Sequence, residues 1–107
     1  MLTTEERFAK AWAARWEKLR ALGIPTARME QAAQAQGALE AARRCLSGRR
    51  CSDGFQTLAR LGRLELSLEA LALEPAWGGL FTDEQANEAI GRLLEAGYDF
   101  RPETRHH

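Results

Sequence analysis

The chain has 107 residues, 45% hydrophobic and 28% charged, with fifteen basic and fifteen acidic side chains and a formal net charge of zero. That length suits one domain with its own core and no disulfide or metal staples, and a zero net charge gives no whole-molecule field to draw it onto nucleic acid or an anionic membrane. No apolar run approaches the roughly 18 residues of a membrane span, and the acidic start at Glu5 and Glu6 is the reverse of a secretory signal. A cytoplasmic protein is therefore expected, with Cys45 and Cys51 as free thiols of a reducing compartment.

The apolar residues are lopsided: nineteen Ala and fifteen Leu, against two Ile and no Val. Ala and Leu lead the helix scale, whereas strands favour β-branched and aromatic residues, so the fold class expected is all-α. Thirteen Arg against two Lys goes with a GC-rich bacterial or phage genome. The charge is also divided along the chain. Residues 1–50 hold ten Lys/Arg and five Glu, and residues 51–107 hold five Arg and ten Asp/Glu. The halves either attract each other within the fold or present one basic and one acidic patch.

In chain order, Thr3 and Glu6 have capping-box spacing, each side chain reaching the other's backbone N–H. Phe8, Trp12, Trp16, Leu19 and Leu22 then recur at helical spacing on one face. Gly23 suits a left-handed helix end with Ile24 folded back towards Leu19, and Pro25 blocks continuation. Thr26 is the expected N-cap of a second helix over about 27–47, with Ala32, Ala35, Leu39, Ala42 and Leu46 facing inward and Gly37 tolerated at about 1 kcal/mol relative to Ala. Bulky side chains of the first helix over small ones of the second predict an antiparallel hairpin.

Gly48 ends that helix. Ser52 or Asp53 is placed to cap a third, short helix that stops at Gly62, with Phe55, Leu58 and Ala59 inward. Residues 63–68 alternate as a strand would, but no second strand exists to pair with them, so an extended connector is expected. A short helix over 67–73, capped by Ser67, follows, then one tight turn at Pro75, Ala76 and Trp77. The best-marked boundary is Thr82 with Gln85, a second capping box, with Asp83 and Glu84 in the first turn and Phe81 stapling Ala86. Its helix, 83–96, is expected to turn Ala86, Ala89, Ile90, Leu93 and Leu94 inward and to end at Gly97, with Tyr98 reaching Leu93. Residues 101–107 read as a loose polar tail.

The chemistry is sparse. The only histidines are His106 and His107 in that tail, away from any packed scaffold, which removes the usual general base and most metal sites. Cys45 and Cys51 lack the further ligands of a structural zinc and the histidine partner of a thiol nucleophile. There is no phosphate-cradling glycine motif; Gly78 and Gly79 precede no lysine. Asp83, Glu84 and Glu88 lack the apolar surroundings that raise a carboxyl pKa. Residues 54–73 could form a helix-turn-helix, but its second helix offers Glu65, Ser67, Glu69 and Glu74, which phosphates repel and which lack base-edge donors.

Two features remain. Arg43, Arg44, Arg49 and Arg50 concentrate positive charge, either serving a helix C-terminus or meeting an anionic partner. Trp12 and Trp16 share a helix face that a second helix would cover only in part, leaving an aromatic stripe of the kind found at interface centres. The expectation is a single helical domain over 1–107, with about five helices: a hairpin over 1–48, a compact three-helix unit over 49–100 and the tail. It has no cofactor and no catalytic site. It works as a self-associating accessory, regulatory or inhibitory protein that meets a protein partner through Trp12, Trp16, Arg43, Arg44, Arg49 and Arg50, with Trp77 in a lesser part. The alternative is a nucleic-acid-binding module using the four arginines.

Overall fold

The computed structural model describes residues 1–100; the expected loose tail over 101–107, with both histidines, lies outside them. The described residues form a small helical bundle without strands. Its helices are α1 (Thr4–Ala21), α2 (Ala27–Gln36), α3 (Ala38–Ser47), α4 (Phe55–Leu61), α5 (Leu68–Ala72) and α6 (Asp83–Glu95), with 3-10 turns at Leu64–Leu66 and Pro75–Trp77. None of the described helices is long and apolar enough to cross a membrane.

The helix ends follow local chemistry. Both capping boxes form: Thr3 with Glu6 on α1, and Thr82 with Gln85 on α6. Ser67 caps α5 by accepting the Ala70 N–H at 3.1 Å. At the end of α1, Gly23 (φ 81°) lets the Ile24 N–H return to the Leu19 carbonyl at 2.9 Å, and Gly97 allows the same return from Tyr98 to Leu93 at 2.9 Å. Each closure satisfies carbonyls that a helix end leaves bare.

The predicted second helix is broken. Gly37 adopts φ 92°, ψ 148°, a conformation essentially reserved for glycine, and the chain turns there so that α2 packs on α3. Of the predicted 27–47 helix, only the second half packs on the first helix: α3 is the element that packs against α1, α2 and α6 alike. Thr26 stands at the N-cap of α2 without capping it. Its buried hydroxyl instead bridges Arg20 and Glu30. Residues 64–66 coil into a 3-10 turn rather than running extended, which turns both Leu64 and Leu66 into the core.

The core is centred on aromatic side chains. Phe8 is fully buried and meets Trp77 edge-on at 5.6 Å, Phe81 at 5.4 Å and Trp12 at 6.1 Å. Such pairs add about 0.5–1.5 kcal/mol beyond area burial. On α6 the predicted inward residues Ala89 and Leu93 are buried and Ala86 and Ile90 partly so, but Leu94 is 58% exposed and Arg92 is buried instead.

One glycine is held by tertiary contact. Gly54 lies at φ 84°, and a Cβ there would stand 2.6 Å from Cγ2 of Ile24. Gly62, at φ 70°, has open space around it. A left-handed conformation costs a residue with a Cβ about 1–2 kcal/mol, and overpacking adds its own penalty. Gly62→Ala is expected to lose about 1 kcal/mol of stability in urea unfolding, and Gly54→Ala about 2 kcal/mol or more. Equal losses would mean that the Ile24 contact is unimportant.

Candidate functional site

The four sequence-selected arginines separate into three roles. Arg43 turns back into the structure, its Nε donating to the Leu80 carbonyl at 2.8 Å and tying α3 to the turn before α6. Arg44 points outward and makes a loose pair with Glu40 at 3.4 Å. Arg49 and Arg50 lie exposed on the loop after α3, and their side chains form no ion pair or hydrogen bond with the described residues. Arg28, on α2 and 81% exposed, stands across from them, 3.7 Å from Asp53.

These arginines ring a half-open groove of about 550 Å³ between α2, α3 and the 48–53 loop. Its floor is apolar and includes Trp12, Met29, Ala41 and Leu68, all buried, while Arg28, Arg44, Arg49 and Arg50 stand at its mouth. A depression of similar size, about 570 Å³, lies between the ends of α4 and α6. It lacks this pairing of an apolar floor with concentrated charge.

Two of the three tryptophans are buried. Trp12 is 3% exposed and Trp77 is 7% exposed, both in the core. Trp16 is partly buried against Trp12, with ring centroids 5.1 Å apart. The expected aromatic stripe is folded inward because α1 is covered by α3 and by the 64–66 turn as well. Trp12 contributes only to the floor of the groove.

What fixes the arginine loop is a pair of residues that spacing alone did not single out. Glu69 on α5 has no exposure and Arg92 on α6 has 5%, and they meet at 3.0 Å. Glu69 accepts the Ser52 backbone N–H at 2.8 Å and the Ser52 hydroxyl at 2.6 Å. Arg92 donates through Nη2 to the carbonyls of Gly48 at 2.9 Å and Cys45 at 3.2 Å, and through Nε to Glu88 at 2.9 Å. The two ends of the segment carrying Arg49 and Arg50 are thus both bound to one buried ion pair. Burial pulls the Arg92 guanidinium down, but hydrogen bonds to Glu88 and Glu69 outweigh it, and the net shift is upward. Neither expected cap serves α4: Ser52 is committed to Glu69, Asp53 stands by Arg28, and the helix starts from Gly54 with no side-chain cap.

The sequence did carry one hint. Glu69 sits in the leucine-dense run 64–73, which leaves a helix no wide solvent face. Of the two carboxylates in that run, Glu65 stays exposed beside Arg63, whereas Glu69 is enclosed and must find a buried partner.

Both cysteines line the groove. Burial, with the nearby Glu69 charge second, pushes the Cys45 thiol up to about 11, and burial also raises Cys51. Thiols so shifted are poor nucleophiles at neutral pH. Among the described residues no group of three or more His, Cys, Asp or Glu is arranged to hold a metal ion. Compared with family profiles, curated proteins and solved structures, the chain matches none.

Breaking a buried pair by removing one partner costs about 3–5 kcal/mol. Arg92→Met and Glu69→Leu should each lose that much in urea unfolding. The double variant should lose clearly less than the two single losses added together, since neither charge is then left alone. Strict additivity would show that the two side chains do not act as a pair.

Proposed function

We propose that this is a non-enzymatic, cytoplasmic binding protein of accessory, regulatory or inhibitory type, and that it holds a protein partner at the groove between α2, α3 and the 48–53 loop. One observation carries the reading: Arg49 and Arg50 stand side by side, exposed and without partners among the described residues, on a segment whose ends are clamped by a buried ion pair. Surface arginines with nothing to hold usually sit on mobile stems; a built anchor beneath two of them gives a preorganised, positively charged edge. Below that edge lies apolar floor, as at the centres of protein interfaces.

Self-association keeps little of its aromatic rationale because, of the pair Trp12 and Trp16, Trp12 is a core residue and Trp16 is partly buried against it. It retains chiefly the charge asymmetry between the two halves of the chain. The nucleic-acid reading draws on the same two free arginines and differs in requiring binding that falls steeply with salt.

The test is affinity capture of the tagged protein from the cells that make it, comparing wild type, Arg49→Glu with Arg50→Glu, and a control reversal of Lys10 and Lys18 on the exposed side of α1. A protein partner should be retained by wild type and control and lost from the Arg49/Arg50 variant. A captured set indifferent to all three, or co-purifying nucleic acid that washes away at high salt, would contradict the proposal.

A further inference from the structure

Building on the groove as the binding face, we infer that its partner presents an acidic peptide segment with at least one large apolar side chain, the carboxylates meeting Arg44, Arg49 and Arg50 and the apolar group packing on Ala32, Cys45 and Cys51. Charge supplies the first part. Four arginines ring the mouth, and the carboxylates paired with them are Asp53, 3.7 Å from Arg28, and Glu40, 3.4 Å from Arg44. Both pairs are loose and exposed, so a partner's carboxylates can replace them at little cost. Planar guanidinium groups bind carboxylates through two parallel hydrogen bonds, which adds direction to the attraction.

The floor supplies the second part. Ala32, Cys45 and Cys51 line the groove partly exposed, together with the buried Met29 and Leu68. The buried polar side-chain atoms left without partners among the described residues belong to Arg15, Trp16 and Trp77, none of which lines the groove. Nothing in the floor therefore asks for a polar ligand group, and a purely charged ligand would leave it wet. A volume of about 550 Å³ lies within the range of small-ligand sites and has room for a bulky side chain.

Nucleic acid fits less well. Single strands bind by stacking bases on exposed aromatic faces, and among the described residues the one aromatic side chain lining the groove, Trp12, is 3% exposed. The acidic first turn of α6, with Asp83 and Glu84, gives a tracking phosphate chain no continuation of the basic edge.

A random 12-residue peptide display library tests this on the full chain. Selection against wild type should enrich peptides rich in Asp and Glu that include Leu, Phe or Trp. Those peptides should bind about tenfold or more weakly to Arg49→Glu with Arg50→Glu, and to Ala32→Phe, which fills the groove from a partly exposed helix position. Replacing their large apolar residue by Ser should weaken them similarly, with unchanged circular dichroism establishing that both protein variants fold. Enriched peptides that are neutral or basic, yet are lost in both variants, would overturn the acidic partner while leaving the groove as the binding face. Peptides indifferent to both variants would overturn the groove itself. Binding of a 12-mer of thymidylate or of phosphatidylglycerol vesicles as tightly as the selected peptides would reassign the site to a general polyanion contact and overturn this inference.

Discussion

Glu69 and Arg92 stand 3.0 Å apart with almost no exposure to water. Taking two charges out of water costs several kcal/mol each, and their mutual attraction offsets this only if the remaining hydrogen-bonding capacity is also filled. Here it is largely filled. Glu69 accepts from the Ser52 amide, the Ser52 hydroxyl and Arg92, and Arg92 donates to Glu88 and to the carbonyls of Cys45 and Gly48. The pair joins α5, α6, the end of α3 and the following loop at one point. An apolar pair of similar size would pack as well, but would leave the Ser52 N–H and the loop carbonyls to find other partners. What the ion pair adds is position, and the residues positioned are those between Gly48 and Ser52.

This arrangement links the burial of one pair of charges to the exposure of another. Arg49 and Arg50 have no partner among the described residues, whereas Gly48 and Ser52 on either side of them are both held. Arg43, six residues earlier, is spent on the Leu80 carbonyl, so a cluster that looks uniform in sequence has separate roles in space. The charge asymmetry between the two halves divides in the same way. Part is consumed inside the molecule, as in Arg15 with Glu74 at 2.8 Å across the α1 face, and part remains at the groove.

Much of the fold was legible because the signals are local. A capping box spans four residues and a glycine-terminated helix end about six, so Thr3, Gly23, Ser67, Thr82 and Gly97 read correctly from their immediate neighbours. Gly37 did not. A glycine inside a helical pattern looks like a modest cost, and whether the chain turns there depends on α2 finding α3. One residue of the α6 inward face was misassigned for a related reason. Leu94 fits an apolar face as well as any residue, and Arg92 displaces it only because Glu69, 23 residues away, is buried beside it. Trp12 and Trp16 were correctly placed on one face, but how many elements cover that face is a tertiary fact. At the site, the arginines were legible as charge; their separation into braced, paired and free required the structure.

The claim on which the rest stands is that Glu69 holds the arginine segment by its backbone, through the Ser52 amide. Hydrogen exchange of that amide measures this directly. If Glu69 accepts it within the closed core, the Ser52 N–H should exchange at a rate near that of global unfolding, whereas the amides of Arg49 and Arg50 exchange fast. Glu69→Leu, which removes the acceptor, should release it. A Ser52 amide that exchanges as quickly as its arginine neighbours in the wild-type protein would contradict the account.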